Sequence, residues 1–137
     1  MSKTETTLVD ANVILDLAER DPVWAPWSAQ ALGEAAESGR LAINPLVYAE
    51  VSVGYERREQ LDQALPADEY IRLDLPWEAA FLAGKIFLAY RRAGGTRHSP
   101  LPNFYIGAHA AVTGMRLLTR DATRYLTYFP RLELIAP

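Results

Sequence analysis

Apolar and polar positions divide this chain into short segments of two periodicities. Residues 6–10, TTLVD, are a β-prone apolar run that ends on an acid. In ANVILDLAER, Val13, Ile14 and Leu17 share one face of a 3.6-residue repeat while Asp16, Glu19 and Arg20 share the other, which predicts a helix. DPVW interrupts it, and a helical pattern resumes over 24–38 through Trp24, Trp27, Ala31, Leu32 and Ala35, with a glycine stop in ESGR. LAI at 41–43 reads as a short buried strand. In the segment NPLVYAEVSVGY, Asn44 suits an N-cap and Pro45 the first helical position. Another helix is predicted over 57–65, a strand over YIRLDL at 70–75, and a long amphipathic helix from Pro76. GGTRHSPLP has the composition of an exposed loop. A helix over 103–113, a strand at RLLT, a short helix at ATRYLTYF and a last strand at LELI complete the pattern.

Strands alternating with helices predict an α/β domain with a mainly parallel sheet of about five strands. No repeat, low-complexity tract or linker divides the chain, so residues 1–137 are expected to form a single domain. No apolar run approaches the roughly 18 to 20 residues of a membrane span. The start MSKTETTLVD lacks a signal-peptide profile, and cytoplasm is the expected location. With no cysteine, disulfides, thiolate zinc sites and cysteine nucleophiles are excluded.

The net charge of −3 conceals an asymmetry. Residues 1–80 hold 6 Lys/Arg against 15 Asp/Glu, a balance of −9; residues 81–137 hold 8 against 2, a balance of +6. Seven of those 8 are arginine, the cation best shaped for phosphate. Either the two halves pair with each other across the fold, or a basic rim lies beside an acidic centre suited to nucleic acid.

Ligands of open parallel sheets sit beyond the carboxyl ends of the strands. Asp10 ends the first strand, Glu50 lies two turns into the helix after the second, Asn103 opens the helix before RLLT, and Asp121 follows RLLT directly. Convergent carboxylates supply the hard oxygen ligands that Mg²⁺ or Mn²⁺ requires, and such a site needs neither histidine nor cysteine. Each residue also has a plainer reading. Asp10, Asn103 and Asp121 fall where helices begin and suit N-caps, and Glu50 suits a solvated helix face.

The segments LVDANVILDL, NPLVYAEV, PNFYIGAHAAVTGMRLLTRD and YLTYFPRLELI, in this order, resemble a PIN domain, and most closely the VapC-type toxins of type II toxin–antitoxin pairs. The resemblance implies a doubly wound fold, a Mg²⁺- or Mn²⁺-dependent endoribonuclease that leaves a 3′-hydroxyl and a 5′-phosphate, inhibition by a cognate VapB-type antitoxin, and a homodimer. It carries the catalytic and metal-binding positions onto Asp10, Glu50, Asn103 and Asp121, with Asn12 and Thr119 as the polar residues beside them. Asn103 departs from the pattern, because the family has an acid there. An amide oxygen can coordinate a hard cation but brings no charge, so weakened metal binding and weakened cleavage of RNA are expected. The alternative is a catalytically inactive PIN-like module that binds an antitoxin or RNA.

Arg97, Arg116 and Arg120 are the candidate RNA contacts, with Arg124 beside them. His98, His109, Ser52 and Ser99 lack base–nucleophile spacing, and no serine-hydrolase elbow is present. Trp24, Trp27, Tyr48 and Tyr55 read first as core packing, and second as a groove for a partner helix or a dimer face. Receiver domains and haloacid-dehalogenase-like phosphatases also place an acid after the first strand. The former want an acidic pair and a late lysine, the latter an aspartate where Asn12 stands, and both fit poorly.

Overall fold

The computed structural model describes residues 5–137; the first four residues, which the export reading includes, lie outside it. Among the described residues the chain runs β1 (Glu5–Val9), α1 (Ala11–Ala18), α2 (Ala25–Ser38), β2 (Gly39–Ile43), α3 (Pro45–Ser52), α4 (Arg58–Ala64), β3 (Tyr70–Arg72), α5 (Trp77–Arg92), α6 (Pro102–Thr113), β4 (Arg116–Leu118), α7 (Ala122–Leu126) and β5 (Leu134–Ile135).

The five strands form one sheet in the order β3-β2-β1-β4-β5, and every pairing is parallel. β1 is central, and Thr7, Leu8 and Val9 are all buried, as a strand covered on both faces must be. The chain winds outward from β1 to β3, then returns to build β4 and β5 on the other side. The expected doubly wound α/β fold is therefore present, and its switch point lies between β1 and β4.

Local signals set most boundaries. Asn44 accepts from the Val47 amide at 3.0 Å and Pro45 opens α3, as the sequence predicts. Gly39 does not act as a left-handed stop; it begins β2, where a Cβ would come within 1.7 Å of the Glu5 carbonyl oxygen. Gly114, at φ 71°, does end α6 in the left-handed conformation.

Three expectations are corrected. The strand foreseen over 70–75 stops at Arg72, because after the Leu73 amide bonds to the Ile43 carbonyl at 2.9 Å its partner strand turns into α3. Asn103 is not a helix cap: α6 begins one residue earlier at Pro102, Leu101 occupies the cap position, and no side chain caps the helix. Asp16, placed on the solvent face by periodicity, is 2% exposed. The Ser28 hydroxyl and the Arg120 Nε each donate to its Oδ2 at 2.8 Å.

The aromatic residues of the early helices follow the packing reading in part. Trp27, Tyr48 and Tyr55 lie against the core, while the Trp24 ring lies under the Arg120 guanidinium, 5.5 Å from its carbon. No helix of the described residues is long and apolar enough to cross a membrane.

Candidate active site

The parallel register carries Asp10 to the carboxyl end of β1, beside the end of β4, where its amide donates to the Leu118 carbonyl at 2.9 Å. Asp10 is 4% exposed and densely bonded. Its Oδ1 accepts from the Ala11 amide at 2.8 Å, as an N-cap does. Its Oδ2 accepts from the Thr119 hydroxyl at 2.8 Å, the Tyr125 hydroxyl at 2.9 Å and the Asn12 amide at 3.3 Å. Three donors saturate Oδ2, which leaves Oδ1 as the oxygen with a spare lone pair.

Asn12 and Thr119 stand where the sequence placed them, beside this carboxylate. The Asn12 amide also donates to Thr119 Oγ1 at 3.2 Å, and its Oδ1 accepts from the Arg120 backbone at 3.3 Å. The amide thereby ties the end of β1 to the loop after β4. Tyr125 was not foreseen. It is fully buried on α7, and only the tertiary fold brings its hydroxyl to Asp10. Its position four residues after Asp121 is the one signal the sequence offered.

Glu50, half-buried on α3, faces the same hollow of about 490 Å³, whose wall also includes Asn12, Glu19 and Arg124. Burial pushes the Asp10 carboxyl above its ordinary pKa, while its hydrogen bonds and the Arg124 charge hold it back. Burial also raises Glu50, and the nearby Asp10 charge raises it further, against a smaller opposing effect of Arg124. Two carboxylates are thus brought together, each desolvated by burial, and the Asp10 charge opposes the ionisation of Glu50.

The other two candidates sit differently. Asp121 caps α7 by accepting from the Arg124 amide at 3.3 Å, and its Oδ2 pairs with Arg124 Nε at 3.2 Å. Asn103 lines an adjoining groove together with Glu50, Arg97 and Arg124. Among the described residues no group of three or more Asp, Glu, His or Cys side chains is placed to hold a metal ion.

The candidate arginines separate as well. Arg116 lies at the opposite end of the sheet, where it donates to Thr7 and Ser38 and pairs with Glu5 at 3.5 Å. The guanidinium of Arg120 is committed to Asp16 and Trp24. Arg97 and Arg124 are exposed on the groove. The charge asymmetry therefore has both origins: Arg116 and Arg120 pair across the halves, while Arg97 and Arg124 rim the acidic centre. His109 is buried in the core, where the Asn44 amide donates to its Nδ1 at 3.0 Å and burial lowers its pKa.

A doubly wound parallel sheet with a carboxylate pair at its switch point defines an α/β domain whose acidic centre lies at the place where such folds bind ligands. Over residues 7–129 the sequence matches the family model described as PIN domain, and the chain belongs to that family. Solved structures share the fold. VapBC2 from Rickettsia felis, bound to a DNA fragment from its promoter, aligns at TM-score 0.72 and 18% identity, covering 96% of this chain and 98% of that one. VapBC-1 from nontypeable Haemophilus influenzae aligns at 0.70 and 18%, covering 96% and 97%. A toxin–antitoxin complex from Klebsiella pneumoniae aligns at 0.68 and 22%, covering 94% and 95%. No curated protein matches the chain.

Proposed function

We propose that this chain is a metal-dependent endoribonuclease, the VapC-like toxin of a type II pair, acting in the cytoplasm as a homodimer restrained by a VapB-type antitoxin. The observation that carries this reading is the Asp10–Glu50 pair: two carboxylates with raised pKa values facing one hollow at the switch point of a PIN fold. The donor set fits Mg²⁺ or Mn²⁺, which take one or two carboxylates and complete their shells with water. Asp10, through Oδ1, and Glu50 would hold the ion, with the Asn103 amide and Asp121 at the margin. A bound divalent cation lowers the pKa of a coordinated water and offsets the charge of a phosphodiester.

The chain's own residues do the rest. Thr119, Tyr125 and Asn12 fix the rotamer of Asp10, so its free lone pair keeps one direction. The Arg124 charge favours the ionised form of both carboxylates, and its guanidinium offers a phosphate contact at the rim.

Asn103 weakens this centre, since the position supplies an oxygen but no charge. Mn²⁺ binding by calorimetry, on this chain and its Asn103→Asp form, tests the assignment. Restoring the acid is expected to tighten binding roughly tenfold or more, about 1.4 kcal/mol, and to speed cleavage of RNA. Equal affinity and equal cleavage in the two forms would remove position 103 from the ligand set.

The second reading, a non-catalytic PIN module that binds an antitoxin or RNA, is favoured by the absence, among the described residues, of three acids grouped to hold a metal ion and by the pairing of Asp121 with Arg124. Failure of the Asn103→Asp form to bind Mn²⁺ or cleave RNA would leave that reading standing.

A further inference from the structure

Both carboxylate oxygens of Asp121 are taken by one residue. Its Oδ1 accepts from the Arg124 amide at 3.3 Å, and its Oδ2 lies 3.2 Å from the Arg124 Nε. A partly exposed ion pair on a short helix is ordinary in itself and weak. Its surroundings set this one apart.

Asp121 lies at the edge of the carboxylate centre. Its amide donates to Thr119 Oγ1 at 3.1 Å, and the Thr119 hydroxyl donates to Asp10 Oδ2 at 2.8 Å, so one side chain separates the two aspartates. Yet Asp121 lines neither the hollow of Asp10 and Glu50 nor the groove beside it, whereas Arg124 lines both. Among the described residues that line the hollow, Arg124 is the one base, against Asp10, Glu19 and Glu50. Its charge favours the ionised forms of Asp10 and Glu50 while its Nε holds Asp121. A single guanidinium serves all three candidate acids of the centre.

We propose that the Arg124–Asp121 ion pair is an autoinhibitory latch, which keeps Asp121 out of the metal centre until the guanidinium lets go. The inference rests on the metal-dependent reading above and adds its regulation. Its physical basis is competition between cations. With the latch closed, the hollow offers Asp10 and Glu50, and position 103 adds an oxygen without charge. A third acid gathered there without a cation would raise the repulsion further, so the metal-free protein gains from a resident positive charge. Arg124 supplies it. A divalent ion carries twice that charge and binds carboxylate oxygen directly. The Arg124 and Asp121 side chains are 51% and 39% exposed, so their pair is held weakly, and the ion can open it at a cost in affinity.

The test is Mn²⁺ binding by calorimetry on the parent, Arg124→Gln, Asp121→Asn and the double variant. All of them keep the cap of α7, because the Arg124 amide and a side-chain oxygen at position 121 remain. Arg124→Gln is expected to bind Mn²⁺ roughly three- to fivefold more tightly than the parent, the scale of one exposed ion pair. In the Asp121→Asn background the same change is expected to shift affinity by less than about twofold, because no acid is released there.

The proposal is overturned if Arg124→Gln binds Mn²⁺ like the parent. It is equally overturned if the gain is as large in the Asp121→Asn background, since Arg124 would then act through its charge alone. Mn²⁺ binding that ignores Arg124→Gln sinks the latch and leaves the metal-dependent reading standing. No Mn²⁺ binding by any of these forms or by Asn103→Asp sinks both.

Discussion

Replacing Arg120 with alanine is expected to cost stability rather than affinity for RNA. Asp16 is 2% exposed, and its Oδ2 has two donors, the Ser28 hydroxyl and the Arg120 Nε, each at 2.8 Å. Arg120→Ala leaves a buried carboxylate with one neutral partner. Breaking a fully buried ion pair costs about 3–5 kcal/mol. The Arg120 side chain is 33% exposed, so water can enter where the guanidinium stood, and the loss falls to about 2–3 kcal/mol. The stacking of the guanidinium on Trp24 adds about 0.5–1 kcal/mol. The sum, roughly 2.5–4 kcal/mol, corresponds to a fall in Tm of roughly 5–12 °C for a chain of this size. Urea unfolding at pH 7, followed by far-ultraviolet circular dichroism, measures it. Arg120→Lys keeps the charge but loses the Nε geometry, and should fall between the two. Asp16→Leu combined with Arg120→Met should recover most of the loss, since no buried charge remains. The reasoning is refuted if Arg120→Ala unfolds within about 0.5 kcal/mol of the parent, or if the double variant is no more stable than the single. At a temperature where it is folded, Arg120→Ala should bind RNA like the parent, since the guanidinium it removes is committed to Asp16 and Trp24.

Two further outcomes follow from the carboxylate pair. Tyr125→Phe removes one of the three donors to Oδ2 of the buried Asp10 and should destabilise the metal-free protein by about 1–3 kcal/mol in urea at neutral pH; an unchanged midpoint would mean that the remaining donors suffice. Glu50 has a folded-state pKa above its ordinary value, so the folded form binds more protons than the unfolded one between those two values. Its stabilising contribution is complete below the ordinary carboxylate value and is lost as pH rises through the raised one. Glu50→Gln should therefore melt higher than the parent at pH 7 in EDTA, and the gain should vanish below about pH 4. A gain that persists in acid would assign it to packing instead of charge.

Much of the site was legible because its signals are local. A β-prone run ending in Asp10 announces a cap at a strand end, and Asn44-Pro45 fixes the start of α3 and hence the direction of Glu50. The failures share one cause. Periodicity put Asp16 in solvent because its partner Arg120 lies 104 residues away in sequence. Arg116 reads as a candidate RNA contact, yet the register sets it against Thr7, at the start of β4 and away from the carboxyl ends of the strands. Position 103 has the composition of a cap, but Pro102 takes the first helical place and frees the amide for the groove.

By itself, the sequence determined the order of elements, the alternation that requires a parallel sheet, and the residue types available at each strand end. Those follow from backbone geometry and side-chain periodicity over a few neighbouring residues. The tertiary structure alone decided which polar groups meet. It joined Tyr125 and Thr119 to Asp10, coupled Glu50 to the same carboxylate, spent Arg120 on Asp16, and left Arg97 and Arg124 facing a groove walled by Tyr128. Desolvation, ion pairing and stacking act between groups brought together by the fold, and their strength depends on burial that no local pattern contains.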